Sequence, residues 1–81
     1  MDIAYSVNDV PIRLTVERWY HIVENHDDLA GHYDDVLSAV ENPDVVLRGY
    51  QASLIAVRGA GRGQYLCVVY KELKRTDGFV I

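Results

Sequence analysis

The period of the hydrophobic residues changes at Asn42-Pro43, and this change constrains the fold more than any other feature of the 81-residue chain. Before this point, apolar residues recur every three or four positions, which is typical of helices buried along one side. After it, short runs of branched and aromatic residues alternate with glycine-containing turns, which is typical of strands joined by hairpins. The order predicts an α+β domain in which helices precede a meander of strands.

Two helices are predicted in the first half, and Gly31 separates them. Thr15 stands at the N-cap of a helix over about residues 15–26, and a second helix is predicted from about His32 to Val40. Proline disfavours helical geometry in the residue before it, so the second helix should end at Asn42. One arc of the first helix holds its apolar side chains together with a histidine, namely Val16, Trp19, Ile22, Val23 and His26.

About four strands are predicted in the second half, with connections short enough for antiparallel hairpins. Val10–Leu14, which Pro11 interrupts, predicts a brief edge strand or an extended lead-in to the first helix. We therefore expect a single domain, 1–81, with both helices packed on one face of an antiparallel sheet. The four predicted strands are Val45–Arg48, Ser53–Arg58, Gln64–Lys71 and Phe79–Ile81.

Cysteine content, hydropathy and charge limit the compartments and the partners that we expect for this chain. The single cysteine, Cys67, allows no intrachain disulfide and no multi-cysteine metal site, which fits a reducing cytoplasm. No cationic leader and no apolar run near 18 residues is present, so we expect a soluble protein with no membrane partner. Residues 1–40 hold two basic and eight acidic residues, whereas residues 41–81 hold six basic and four acidic ones. The basic charge is therefore concentrated in the second half.

The three histidines lie close together, and they are the best chemical lead because imidazole, with a pKa of about 6.5, exchanges protons near neutral pH. His21 and His26 are five positions apart, about 140° around a helix, so they cannot chelate one ion. We therefore predict no metal and no other cofactor. His26 on the apolar arc is either a partly buried structural histidine or a proton carrier. His21 lies on the opposite side, as a surface residue or a catalytic one, and His32 begins the second helix.

The glycine-rich loop Gly59–Gly63 is a further candidate, because such a backbone can approach a phosphate closely. It matches neither a P-loop nor a Rossmann turn, and a hairpin loop explains it without a ligand. Arg58 and Lys71 flank the two strands that it joins. They form a pair of cations above the sheet only if the strand register places them on one face.

Several segments together resemble a family of small bacterial proteins, the PBECR-like proteins, placed near the barnase, EndoU, colicin nuclease and RelE group of ribonuclease folds. The resemblance extends over nearly the whole chain. The segments that carry it are Ile12-Arg13-Leu14-Thr15, Arg18-Trp19-Tyr20-His21-Ile22 with His26 and Leu29, Asn42-Pro43-Asp44, Tyr65–Lys71 and Asp77–Ile81.

This resemblance implies a RelE/barnase-like fold and a toxin-like, metal-independent endoribonuclease, in which the RNA 2′-hydroxyl attacks the adjacent phosphate. Such a reaction needs a base, an acid and cations that stabilise the phosphorane charge. His26 or His21 would carry the proton, Arg58 and Lys71 would stabilise the phosphate, and Tyr70 would donate a hydrogen bond. Relatives continue past the final strand, which leaves open an inactive or a truncated copy.

A non-catalytic module is the alternative prediction. A protein-binding or regulatory domain of the same fold would use its sheet to engage an antitoxin, another protein or a second copy. An exposed C-terminal strand would offer an unpaired edge for such a homodimer.

Overall fold

Six strands and two α-helices follow one another in the computed structural model, which describes residues 1–81. Short 3₁₀ turns at Asp27–Leu29 and Tyr50–Ala52 precede α2 and β4. The elements in chain order are β1 (Asp2–Tyr5), β2 (Pro11–Leu14), α1 (Val16–Asn25), α2 (Tyr33–Glu41), β3 (Val45–Arg48), β4 (Leu54–Gly61), β5 (Gln64–Lys74) and β6 (Asp77–Val80).

The predicted RelE/barnase-like arrangement of two helices on about four antiparallel strands is wrong. The domain has a six-stranded mixed sheet in the order β1-β2-β6-β5-β4-β3. β2 pairs with β6 in parallel, and every other pair of neighbours is antiparallel. The sequence predicts no strand at β1 and predicts β2 only as a brief edge strand or a lead-in, because each is four residues long and its place in the sheet depends on a distant pairing.

The two strands predicted at an edge of the sheet both lie inside it. β2 is flanked by β1 and β6, and β6 is flanked by β2 and β5. Pro11 is tolerated in β2 because it is the first residue of the strand, opposite Tyr5 of β1. The C-terminal strand is therefore not available as an edge for a homodimer, and the true edges are β1 and β3.

The hydrophobic core lies between the sheet and α2. Strand residues alternate between two faces, and those on the inner face meet the helices. α2 buries Val36, Ala39 and Val40, whereas α1 buries no residue completely and contacts the core through Trp19 and Ile22. Neither α-helix is long and apolar enough to cross a membrane. The strand residues and the β1–β2 loop residue of the core are Ala4, Val10, Ile12, Leu14, Ala56, Val68, Tyr70 and Val80.

Tyr33 attaches α2 to the N-terminal hairpin. Its hydroxyl donates a hydrogen bond of 2.8 Å to Asp2 Oδ2, and its ring meets Trp19 edge to face at a centroid distance of 5.1 Å. Burial, followed by the hydrogen bond to Asp2, raises the pKa of Tyr33 to about 12. The neutral hydroxyl that donates this bond is therefore favoured in the folded domain. The stability that this preference contributes is present below the ordinary tyrosine pKa of about 10, and it is lost as the pH rises from there to about 12.

Gly78 allows β6 to fit between its neighbours. A Cβ atom at this position would lie 2.5 Å from Ile12 Cδ1 and 2.5 Å from the carbonyl oxygen of Lys71. The second contact is with backbone, so it cannot be relieved by a change of rotamer. Glycine is therefore required where β2, β6 and β5 come together.

Gly78→Ala should lower the free energy of unfolding by about 1–3 kcal/mol, because the added methyl group overpacks this junction. Urea unfolding followed by tryptophan fluorescence measures the loss. Gly59→Ala is the matched control, since its new Cβ would approach no atom closer than Asp44 Oδ2 at 3.4 Å. Equal stability of the two variants would contradict the role assigned to Gly78.

Candidate functional site

Arg58 binds the end of a helix. Its Nη1 donates hydrogen bonds to the carbonyl oxygens of Asn42, at 3.0 Å, and Ser38, at 3.4 Å. The Ser38 carbonyl also accepts the backbone N–H of Asn42, whereas the carbonyl of Asn42, at the end of the helix, has no helical partner, and the guanidinium satisfies it while complementing the helix dipole. Arg58 therefore stabilises the C-terminus of α2, with its guanidinium engaged there.

The sheet register places Arg58 and Lys71 on opposite faces. Arg58 lies opposite Leu66 on the inner face, whereas Lys71 lies opposite Phe79 on the outer face. The pair of cations that the sequence left open therefore does not form. Lys71 makes no ion pair and lines a shallow groove with Tyr50 and Ile81.

Tyr70 is fully buried, with 0% of its surface exposed, and its hydroxyl has no hydrogen-bond partner. Burial raises the pKa of Tyr70, and the negative charge of Glu72 raises it further. A side chain enclosed in this way packs the core and does not reach a molecule in solvent.

The two histidines of the first helical segment line the same groove, although the helical wheel separates them. His26 is the C-cap of α1 and its backbone N–H still bonds to the carbonyl of Ile22, so the groove takes in both histidines because it extends over the helix face between them. His21 and His26 line an open groove of about 270 Å³ with Arg18 and Asn25, here called the histidine groove.

Arg18 is the residue of this groove that sequence reasoning missed. Arg18, His21 and Asn25 stand at positions i, i+3 and i+7 of α1, which is the spacing of one helix face and a usable signal. His32 lies apart from them, and its Nδ1 is 2.8 Å from Asp35 Oδ2 at the start of α2. No group of three or more histidine, cysteine, aspartate or glutamate side chains is arranged to hold a metal ion.

The outer face of the sheet carries a broad apolar surface, here called the open face, which neither α-helix covers and which the 3₁₀ turn Tyr50–Ala52 flanks beside Val69 and Phe79. Both helices pack on the inner face, and none of the outer residues belongs to the core. Leu47 is 49% exposed and Tyr65 is 68% exposed. The apolar residues that strand alternation places on the open face are Ile3, Tyr5, Pro11, Val45, Leu47, Ile55, Val57, Tyr65, Cys67, Val69 and Phe79.

Few charges interrupt the open face. Arg13 Nε and Asp77 Oδ1 form an ion pair of 2.8 Å across the parallel strands β2 and β6. Lys71 and Lys74 are the strand residues of this face whose charges have no ion-pair partner, since Lys74 lies opposite Asp77 after the bulge in β5. The open face is therefore suited to apolar contact more than to a polyanion.

No protein-family model, curated protein or solved structure matches this chain. The resemblance to the PBECR-like proteins, and the ribonuclease activity that it implies, therefore stay predictions.

Arg58→Ala should lower the stability of the domain by about 1–3 kcal/mol, because it leaves carbonyl groups at the end of α2 without a charged donor. For a domain of this size that loss lowers the melting temperature by about 4–8 °C per kcal/mol, which calorimetry measures. Arg75→Ala removes an exposed arginine that makes no ion pair and serves as the control. Equal melting temperatures for the two variants would contradict the structural role of Arg58.

Proposed function

We propose that this chain is a non-catalytic protein-binding module that associates with a second copy of itself through the open face. The observation that carries the proposal is an apolar sheet face that neither α-helix covers. Monomeric soluble proteins rarely expose large contiguous apolar patches, and such patches mark interaction sites.

The total surface of the domain supports an interface of ordinary size. The accessible surface is 5590 Å² for a mass of 9.2 kDa, about 700 Å² more than the roughly 4,900 Å² of a typical folded monomer of that mass. A standard protein interface buries about 800 Å² on each partner. The extra accessible surface of this domain is therefore close to the area that one partner buries in a standard interface.

A second copy is the occupant that these features favour. Two sheets pack face to face about 10 Å apart when each presents an apolar face. A two-fold axis would bury the same apolar surface on both copies. The Arg13–Asp77 ion pair is neutral as a unit, so the only unpaired charges that the strands of each copy bring to this face are those of Lys71 and Lys74.

Val57→Glu and Leu47→Glu should each weaken self-association at least tenfold, because a carboxylate without a partner would enter the interface. Sedimentation equilibrium across a concentration series gives the association constant, and circular dichroism checks that each variant is folded. Tyr20→Glu is the control, since Tyr20 is 66% exposed on α1, away from the open face. A wild-type chain that stays monomeric at the highest concentration would refute self-association.

As a second candidate function we propose RNA cleavage at the histidine groove. Arg18, His21 and His26 line one open groove, which brings two proton carriers and a cation together. One histidine would take the proton of the 2′-hydroxyl, and the resulting oxygen would attack the adjacent phosphorus. The other histidine would protonate the departing 5′-oxygen, leaving a 2′,3′-cyclic phosphate, while Arg18 would stabilise the charge on the phosphorane.

Negative charge beside the histidine groove makes RNA cleavage the weaker of the two candidate functions. His21 Nδ1 lies 3.8 Å from Glu24 Oε2, and Asp27 and Asp28 follow His26 directly. Carboxylates beside the groove repel the phosphates of RNA. Arg58, Lys71 and Tyr70, which the resemblance adds to the catalytic set, do not line this groove.

The wild-type chain should therefore leave RNA intact in the presence of a metal chelator, as gel analysis of labelled single-stranded RNA would record. Cleavage that persists in His32→Ala, and is lost in both His21→Ala and His26→Ala, would place the second candidate ahead of the first. His32 is the matched control because it lies outside the histidine groove.

A further inference from the structure

One segment of β5 lacks a neighbour on one side. β5 extends over Gln64–Lys74, but β6 pairs with it only from Tyr70 onward. Beyond that pair, the backbone N–H of Ile81 donates a single further bond to the carbonyl of Val69. Residues 64–68 of β5 therefore pair with β4 alone.

The backbone groups of this segment point into the gap. In an antiparallel ladder, hydrogen-bonding residues alternate between the two sides of a strand. The carbonyl of Val69 faces the β6 side, so the N–H and C=O groups of Cys67 and Tyr65 face the same side. They form an unpaired strand edge inside the sheet.

An apolar groove of about 240 Å³ lies beside this edge, under the loosely packed helix α1. We call it the edge groove. His26 is its one polar side chain, and it shares Ile22, His26 and Ile81 with the histidine groove. Its walls are Leu66–Val69 of β5, Ile22 and His26 from the α1 segment, Leu29, Val36, Val80 and Ile81.

We propose that the edge groove binds an extended peptide segment of a partner protein, which adds to β5 as an antiparallel strand in line with β6. The peptide backbone would bond to the free groups of Tyr65 and Cys67, and alternate side chains would enter the groove. This site is separate from the open-face interface proposed above, and neither depends on the other.

The shape of the site specifies the peptide. The free edge spans Gln64–Val68, so it pairs with about four or five residues in extended conformation. Residues at alternate positions must be apolar to match the groove. The N-terminal end of the peptide would lie towards the adjoining histidine groove, which shares Ile22, His26 and Ile81 with the edge groove.

An extended peptide fits this site better than a strand of a second folded copy. The free edge lies under α1 and next to the end of β6. A strand that already belongs to a folded sheet has neighbouring strands beside it, and those strands would clash with α1. A single extended segment has no such neighbours, and its side chains reach the groove without displacing the helix.

The test begins with selection from a phage-displayed random peptide library on the full chain carrying Leu47→Glu, which removes open-face association. We expect enriched peptides with apolar residues at alternate positions. Hydrogen exchange followed by NMR then reports on single amides. Before peptide is added, the amides of Tyr65 and Cys67 should exchange rapidly while those of Leu66 and Val68, which face β4, are protected, and peptide should slow exchange at Tyr65 and Cys67.

Cys67→Pro and Cys67→Ala form a matched pair, since only proline removes the backbone N–H that faces the gap. Cys67→Pro should weaken binding of the selected peptide at least tenfold, and Cys67→Ala should retain it. If the proline variant does not fold, the exchange rates of the Tyr65 and Cys67 amides in the parent chain, with and without peptide, test the proposal.

Three results would overturn the proposal. The first is a selection that enriches no peptide, and the second is bound peptide that leaves exchange at Tyr65 and Cys67 unchanged. The third is protection of these two amides that grows with protein concentration alone, which would identify a second copy as the occupant. Failure of open-face association would leave each of these readouts intact.

Discussion

The parallel pairing of β2 with β6 is the contact on which the rest of the structure depends. It joins Ile12 to Gly78 and Arg13 to Phe79, and the Arg13–Asp77 ion pair beside it links residues 64 positions apart. β1 pairs with β2 alone, so the N-terminal hairpin joins the strand ladder of the sheet through this junction, and hydrogen bonds from Ser6 and Asn8 in its loop to Glu72 of β5 hold it in place as well. The absence of a side chain at Gly78 lets Ile12 pack there, which makes one small residue a condition for the six-stranded arrangement.

This junction also determines which surfaces remain unpaired. It places β6 inside the sheet, where its four residues match β2 in length but leave part of β5 without a neighbour. Both helices lie on the inner face, and α1 buries none of its residues completely. The domain therefore has two kinds of unsatisfied surface, an apolar sheet face and a polar strand edge beside an apolar groove. Both are surfaces that another polypeptide can cover.

The candidate chemistry follows from the same packing. The resemblance to a ribonuclease fold assigned catalytic roles to Arg58 and Tyr70. In the structure, Arg58 binds the end of α2 and Tyr70 fills the core. His21 and His26 are separated on a helical wheel, but one open groove extends over the helix face between them and includes both. Arg18 could have been added from its spacing to His21, which is a local feature.

The sequence by itself determined the local elements. Thr15 accepts a hydrogen bond from the backbone N–H of Arg18 and begins α1, and the strands after Pro43 follow the alternation of apolar residues, because caps and periodicity act between near neighbours. Only the tertiary structure decided the strand order, the place of β1 and β2, the face on which Lys71 lies and the free edge of β5. These features depend on contacts between residues far apart in the chain, whose energies come from packing and pairing that a local pattern does not contain.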